Sequence, residues 1–187
     1  MSDRGPRRLS PWLQEKLFER RIVLLTGRLD DAIAAETVAA LTTLDVAGTA
    51  PIELHLDSAD GTLEGAFVVI DTLDQLRATV DARCRGQVGG PVIGVAAAAG
   101  HRSAAPHTMF RLAQPTAQFS GTPDAIARQN RQQQDLLWRL HARLAQRTGR
   151  PAEEIAEDMW RGRYLDARQA LAYGLIDEIT SVARSQE

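Results

Sequence analysis

Apolar spacing in the first third of the chain predicts alternating helices and strands. We predict a helix opening at Ser10-Pro11, a strand over 22–26, a helix from Asp30 or Asp31 to about Leu44, and a strand over 52–57. The last of these alternates Ile52, Leu54 and Leu56 with polar residues, which is the period-two pattern of a half-exposed strand. A turn over 58–61 follows it.

The remaining two thirds repeat the same alternation. We predict a helix over 62–76, a strand over 80–86, a buried helix over 92–99, a strand over 109–112, a long helix over 123–148 ended by Gly149, a helix opened by Pro151, and a helix from Asp166 to Gly174 before the apolar run 175–179. Repeated strand-turn-helix units imply a largely parallel sheet covered by helices.

Composition indicates one globular domain in a reducing compartment. The chain has 187 residues, 44% of them hydrophobic, a net charge of -2 and a single cysteine, Cys84, which rules out an internal disulfide. No apolar run approaches the roughly 20 residues that span a bilayer. We therefore expect a soluble cytoplasmic protein with neither nucleic acid nor membrane as partner, and no cofactor or metal. An Ala- and Arg-rich composition is compatible with a GC-rich bacterial genome.

Several short segments, in this order and spacing, are similar to the proteolytic subunit of Clp protease, the ClpP family. They are 20–27 (RRIVLLTG), 70–73 (IDTL), 84–87 (CRGQ), Gln114-Pro115 and 173–177 (YGLID). The resemblance implies an α/β fold, a crotonase-like spiral of ββα units with a protruding handle over about 116–149. It divides the chain into an N-terminal tail (1–11), one domain (12–180) and a C-terminal tail (181–187). It also implies a ring, usually two heptamers stacked through the handle helices around a closed chamber. Because the region before the first helix is short here, we expect the family's axial gating loops to be reduced or absent.

The family's serine, histidine and aspartate triad has no counterpart at the matching positions. Anchored on Gly86-Gln87, the serine position is Gly90, and 88–100 contains no serine, threonine or cysteine in any register. The histidine position, two residues before the shared proline, is Ala113, and the aspartate position is Gly162. A triad without nucleophile and base cannot hydrolyse a peptide by the family route.

The oxyanion hole is altered too. Where relatives carry Gly-Gly after the strand, this chain has Asp60-Gly61, which brings a carboxylate to a place that must hold an anion. The residue after Gly90 is Pro91, which has no N–H to donate.

The pocket that receives the ATP-dependent unfoldase also departs from the family. Its two tyrosines and its phenylalanine correspond to Glu53, His55 and Gln75. Aromatic anchors supply much of the binding energy of such interfaces, so we expect this chain not to dock that unfoldase in the usual way.

Other chemistry-bearing residues are interpreted as structural. Ser58, Ser103, Ser120, His55, His101, His107 and His141 are expected to make ordinary hydrogen bonds, with His55 on the polar face of its strand. Trp160 and Tyr164 are expected to pack beside the vacated aspartate position. The arginines of the long helix (Arg128, Arg131, Arg139, Arg143, Arg147) are expected to mark a solvated or ring-facing surface.

The leading hypothesis is a catalytically inactive ClpP-like subunit that forms rings, alone or with active paralogues, and modulates their assembly or partner choice. Two alternatives stay open. One is a serine peptidase with a rearranged catalytic site, and the other is a crotonase-type acyl-thioester enzyme that uses paired backbone donors.

Overall fold

A computed structural model describes residues 10–180, so the expected tails over 1–9 and 181–187 lie outside the described residues. Within this range the elements are α1 (Pro11–Glu19), β1 (Ile22–Thr26), α2 (Asp31–Ala47), β2 (Ile52–Ser58), α3 (Leu63–Gln75), β3 (Val80–Gly89), α4 (Val92–Ala98), β4 (His101–Ala104), β5 (Met109–Leu112), α5 (Pro123–Thr148), α6 (Ala152–Arg161), β6 (Arg163–Asp166), α7 (Ala167–Tyr173) and β7 (Glu178–Ile179). Ser10 caps α1, so this helix begins one residue before the boundary drawn at Trp12. No helix between residues 10 and 180 is long and apolar enough to cross a membrane.

The sheet branches at its longest strand. Strands β1, β2, β3, β4 and β7 pair in that order and in parallel. The first half of β3 pairs with β4, and its end (87–89) pairs with β5, which carries β6 antiparallel on its far side. Gly86 separates the two halves with φ +55, a left-handed conformation that favours glycine. The predicted α/β class with its largely parallel sheet is confirmed.

Residues Asp57 and Gly86 fix the bend that separates the two halves of β3. The Gln87 N–H donates to Asp57 Oδ1 at 3.1 Å, and a Cβ on Gly86 would collide with the same carboxylate. The bend therefore needs a glycine for its space as well as for its φ. Beyond it, β3 continues to Gly89 rather than ending at Gly86 as predicted, and so reaches the candidate site.

Two strands were not predicted from the sequence. Strand β4 contains Arg102, whose side chain is buried and forms a charge-assisted pair with Asp177, including an Nε to Oδ2 bond of 3.0 Å. Arg102 also donates to the Gly174 carbonyl at 2.8 Å. Strand β6 is a polar edge strand paired only with β5. Both strands are set by distant partners rather than by local apolar alternation.

Helix α5 is half packed and half projecting. Its C-terminal part buries Leu140 and Leu144 completely, as the predicted stripe requires, and Leu137 is half-buried. Gly94 of α4 makes this packing possible, because a Cβ there would collide with the Leu140 side chain. Nearly all residues from 123 to 135 are exposed, so this half of the helix extends from the body over about 20 Å.

Candidate functional site

The candidate site begins at a sharp turn where β3 becomes α4. Gly90 follows the strand directly with φ +54, and Pro91 then precedes the first turn of α4. The Gly90 N–H donates to the Arg111 carbonyl at 3.0 Å, which ties the turn to β5. A strained strand-to-helix turn of this kind exposes the nucleophile in α/β-hydrolases. In this chain the turn carries no side chain.

Asp60 fills the space beside this turn. A Cβ on Gly90 would lie 3.1 Å from Asp60 Oδ1 and 3.8 Å from the Ala113 carbonyl oxygen. The other carboxylate oxygen of Asp60 lies 3.7 Å from Arg28 Nε, an exposed pair that partly offsets the charge. The Asp60 carbonyl accepts from the Leu29 N–H at 3.0 Å and from the Ser58 hydroxyl at 3.1 Å, which fixes the backbone of the residue. Three positions singled out from the sequence therefore meet at one point.

Gly61 is a packing requirement of the same loop. A Cβ on this residue would lie 2.7 Å from Leu29 Cβ and 2.8 Å from the Leu29 carbonyl oxygen, so only glycine fits. Next to it the Thr62 N–H donates to that carbonyl at 2.9 Å. The loop is thus held rigidly against the chain that follows β1.

Ala113 and Gly162 are brought near one another by the end of α6. Ala113 is buried just after β5, and its neighbour Gln114 donates its N–H to the Met159 carbonyl at 3.1 Å. Gly162 ends α6 in the left-handed conformation with φ +67, and a Cβ there would meet nothing within 4 Å. Neither residue offers an acid or a base, and of the two it is Ala113 that lies next to the turn, through its carbonyl oxygen.

Asp158, the acid one turn before Gly162, is committed to a structural network. Its carboxylate accepts from Arg163 Nη1 at 3.0 and 3.1 Å and from the buried Tyr173 hydroxyl at 2.9 Å. Burial, together with the hydrogen bond to Asp158, raises the pKa of the Tyr173 phenol. This acid is therefore held by two partners of its own and does not replace the missing triad aspartate.

No other described nucleophile is paired with a base. Within residues 10–180 no serine, threonine or cysteine side chain hydrogen-bonds to a histidine; Ser103 instead donates to the Ala82 carbonyl at 3.4 Å, inside the core. Burial raises the pKa of the Cys84 thiol to about 12, so this group is not a thiolate at neutral pH.

The histidines are similarly placed away from nucleophilic chemistry. His101 lies at the exposed start of β4, with Nε2 3.3 Å from Glu178 Oε1. His141 is buried in α5, and burial lowers the pKa of its imidazole. Neither of its ring nitrogens has a hydrogen-bond partner among the described residues, so the expectation of an ordinary hydrogen bond was wrong for His141. His107 and Ser120 are exposed, and no cluster that could hold a metal ion occurs in the described part of the chain.

A cleft of about 430 Å³ lies next to the Asp60 loop. Its lining combines Arg28, Thr62, Glu64, residues 115–119 and Gln133 of α5. The cleft is bounded by the loop after β2 on one side and by the start of the handle segment on the other. It offers polar groups to a ligand. Its two hydroxyl groups belong to Thr62, which caps α3, and to Thr116, and neither hydrogen-bonds to a histidine of the described chain.

Arg111 was not singled out from the sequence, although it borders the turn. It pairs with Gly89 on one side and Tyr164 on the other, and its guanidinium carbon lies 5.7 Å from the Tyr164 ring centroid. Its Nε is buried without a hydrogen-bond partner among the described residues. The feature of the sequence that could have identified Arg111 is a charged residue inside the apolar run of β5.

The expectation that Trp160 and Tyr164 pack beside the vacated aspartate position was wrong, because a Cβ on Gly162 would meet nothing within 4 Å. Trp160 is 76% exposed and Tyr164 is 54% exposed. Helix α6 buries Ile155, Asp158 and Met159 instead, so Trp160 lies on its outer face. Tyr164 belongs to an edge strand and is covered on one side only by Arg111.

The positions matched to the unfoldase pocket carry an ion-pair network. Glu53 Oε1 accepts from Arg83 Nη2 at 2.7 Å, and Glu53 Oε2 lies 3.0 Å from His55 Nε2. These residues share one face of β2 and β3, and His55 is half-buried there as expected for a polar strand face. Gln75 is the exposed last residue of α3.

The comparison with protein families agrees with this geometry. The model of the family described as Clp protease matches residues 9–183, which is nearly the whole chain. The match spans every element described above, from the capped first helix to β7. This chain belongs to the Clp protease family.

Proposed function

We propose that this protein is a catalytically inactive subunit of the Clp proteolytic type that acts in the cytoplasm as a ring-forming structural or regulatory component. The observation that carries the proposal is Gly90, a residue without a side chain at the turn where the family scaffold presents its nucleophile. Ala113 and Gly162 add neither base nor acid, and a Cβ at position 90 would make a tight contact of 3.1 Å with the Asp60 carboxylate.

Exposed apolar surface supports self-association. A groove of about 630 Å³ runs between α1, β1 and α2, lined by apolar side chains that include Leu17, Phe18 and Ile33. Phe18 in this groove is 37% exposed. Contiguous exposed apolar surface of this kind marks protein interfaces, and members of this family assemble into rings. We assign the groove to a neighbouring subunit of the ring.

The altered docking positions support a role away from the usual unfoldase. Glu53, His55 and Arg83 satisfy one another's charges, so they present a polar surface where aromatic anchors are needed. The ring would then contribute assembly or partner choice, alone or mixed with active paralogues, rather than hydrolysis.

The experiment measures assembly and chemistry on the same sample. Native mass spectrometry and sedimentation of the full chain, alone and mixed with an active paralogue, should show a ring, and a fluorophosphonate probe should label no serine. Phe18→Glu should break the ring because it places a charge in the groove. Leu13→Glu is the matched control, since it adds the same charge to the same helix at an exposed position outside the groove lining.

Two results would reject the proposal. A monomer in both samples removes the ring-forming role. Stoichiometric fluorophosphonate labelling of one serine, with peptide hydrolysis that the label blocks, replaces it with a peptidase that has a rearranged site.

A further inference from the structure

Arg111 carries a charge that no acid in the described part of the chain balances. Its guanidinium group makes no hydrogen bond and no ion pair between residues 10 and 180, and its Nε is shielded from solvent without a partner. A guanidinium group has five N–H donors, and a buried donor that lacks an acceptor costs free energy. The arrangement is therefore incomplete without an acceptor from outside the subunit.

Other partly buried arginines of the structure have acceptors of their own. Arg83, whose Nε is also shielded, donates through Nη2 to Glu53 at 2.7 Å. Arg143, which was expected on a solvated surface, donates to both carboxylate oxygens of Asp74. Arg111 has no such acceptor within residues 10–180.

Arg111 lies on the open face of β5, next to the turn at Gly90. Phe110 and Leu112 are buried in the core, so the alternation of the strand directs Arg111 to the opposite face. Its carbonyl accepts the Gly90 N–H at 3.0 Å, and its side chain is only half-buried. Tyr164 faces it from β6, with 5.7 Å between the guanidinium carbon and the ring centroid. A ligand at the turn can therefore reach this guanidinium group from solvent.

Space for a ligand comes from the small residues beside Arg111. Gly89 is its partner in β3, and a Cβ there would lie 3.3 Å from Arg111 Cβ. Gly90 has no side chain, and Ala113, two residues further along the chain, has only a methyl group. No side chain from the end of β3 or from the turn therefore covers the guanidinium group.

The charges around the turn leave Arg111 in surplus. Asp60 has Arg28 at 3.7 Å, which partly offsets its carboxylate. Asp166 of β6 accepts the Gln169 N–H at 2.7 Å as the N-cap of α7. Because neither acid forms an ion pair with Arg111, a negatively charged group of a ligand is attracted to the guanidinium group.

A carboxylate fits this place better than a phosphate. Phosphate sites combine several backbone N–H donors at a helix N-terminus or in a nest of successive amides. At this turn Pro91 supplies no N–H, and the Asp60 carboxylate lies beside Gly90. One planar guanidinium group matches one carboxylate through two parallel hydrogen bonds, and the Tyr164 ring supports it from its face.

The surroundings favour a ligand longer than a small molecule. Small-molecule sites enclose most of the ligand surface, whereas Tyr164 beside Arg111 is 54% exposed. The polar cleft of about 430 Å³ continues from the turn, since its lining includes Arg28, the partner of Asp60, and Pro115 in the segment after β5. A chain molecule can lie in this cleft and place one end or one side chain at Arg111.

We propose that Arg111 and Tyr164 bind the carboxylate of a peptide that lies in this cleft and is held without being cleaved. The proposal rests on the proposed function, which supplies the absence of cleavage, and adds the chemical preference of the site. The carboxylate belongs either to an acidic side chain or to the C terminus of the peptide, and the experiment separates these two sources.

Labelled peptide pools test the preference with the full chain. Each pool consists of octapeptides that carry a neutral fluorophore and otherwise uncharged random residues. The first has a central glutamate and an amidated C terminus, the second a central glutamine and an amidated C terminus, and the third a central glutamine and a free C-terminal carboxylate. Fluorescence anisotropy at low salt measures the dissociation constant of each pool. At least one of the two carboxylate pools should bind about tenfold more tightly than the all-amide pool, since hydrogen bonds between charged groups are the strong ones.

Substitutions of Arg111 test whether this residue is the source of the preference. Arg111→Met keeps the length of the side chain and removes its charge, so the three pools should then bind within about twofold of one another. Its midpoint of thermal unfolding should not fall, because the lost donors had no acceptor inside the subunit. Arg111→Lys keeps the charge without the planar fork and should retain only part of the preference. Arg20→Met is the matched control, since it removes the same charge from an exposed position before β1, at the opposite end of the parallel strands, and should leave the preference unchanged.

The outcomes separate this inference from the proposed function. Equal affinity for the three pools, a preference that survives Arg111→Met, or an equal loss in Arg20→Met overturns the inference. A lower unfolding midpoint of Arg111→Met assigns the residue a structural role and overturns it too, as does tighter binding of a pool with phosphoserine in place of glutamate. Cleaved peptides in the mass spectrum of the same samples reject the proposed function, while the ratio of affinities still decides the role of Arg111. A monomer in sedimentation bears only on the ring, because every residue invoked for the carboxylate belongs to one chain.

Discussion

Restoring the three missing side chains should not by itself restore hydrolysis. The triple variant Gly90→Ser/Ala113→His/Gly162→Asp supplies nucleophile, base and acid at the matched positions. We expect two further residues, Asp60 and Pro91, to oppose hydrolysis in this variant. The Asp60 carboxylate lies 3.1 Å from the Cβ that serine would bring, and Pro91 has no N–H to stabilise an oxyanion.

The size of each obstacle follows from its chemistry. A non-glycine residue at the φ of +54 costs about 1–2 kcal/mol in folding, which the scaffold can tolerate. Loss of one oxyanion-hole donor lowers the rate about 10²–10³-fold. A carboxylate beside the reacting carbonyl also disfavours the negative charge that develops there. We therefore expect the triple variant to hydrolyse a fluorogenic peptide no faster than background.

Adding Pro91→Ala and Asp60→Gly should raise the rate in steps. Asp60→Gly is added to the triple variant first. Pro91→Ala in that four-position background supplies the missing N–H and should raise the rate of hydrolysis about 10²-fold. The control carries alanine instead of serine at position 90 in the five-position background, and it should remain at background. Fluorophosphonate labelling reports the nucleophile independently of turnover. A triple variant as active as the five-position variant would refute the assigned roles of Asp60 and Pro91.

Three further predictions concern the scaffold. Gly94→Val should lower the free energy of unfolding by about 2 kcal/mol, measured in urea, because its side chain collides with Leu140. Asp177→Asn should lower the free energy of unfolding by about 2–3 kcal/mol at pH 7, because Arg102 is left buried without its partner carboxylate. This value is smaller than for a fully buried pair because Asp177 is partly exposed. The Arg102 guanidinium lowers the pKa of Asp177, so this stabilisation is fully present above about pH 4 and declines as the pH falls from there through the lowered pKa; the difference between unmodified chain and variant in urea unfolding should therefore be smaller at about pH 3 than at pH 7. Native Cys84 should resist a thiol reagent at pH 8 and react only on unfolding, whereas rapid native labelling would contradict its burial.

Local patterns predicted the elements whose determinants are local. Helix α5 has an N-cap at Thr122, a proline at its start and a left-handed Gly149 at its end, and its bounds follow directly. Helix α7 is likewise enclosed by the Asp166 capping box and Gly174. Strand β4 was not predicted, because Arg102 is interpreted as an exposed residue until its carboxylate partner, 75 residues away, is known.

The sequence predicted which residues occupy the candidate site but not which of them are in contact. The absence of a nucleophile at Gly90 follows from the letters of the sequence alone. The contact between Asp60 and Gly90 does not, because these residues follow two different strands and meet only when β2 and β3 pair. The prediction for Trp160 was wrong because an aromatic ring is expected to be packed, whereas this one lies on the outer face of α6.

Gly90, Asp60 and Pro91 are compatible with one another at the turn, so on the proposed function hydrolysis should be hard to restore in single steps. Glycine at position 90 relieves the strain of a left-handed φ and leaves the space that Asp60 occupies. With Asp60 in that space, a serine alone is crowded; with Pro91 next to it, the same serine lacks an oxyanion donor. Effects of residues in direct contact are not additive, so each reversion should be neutral or harmful until the others are present. On the proposed function we therefore expect hydrolysis to require several coordinated changes at the turn, although the fold around it is kept.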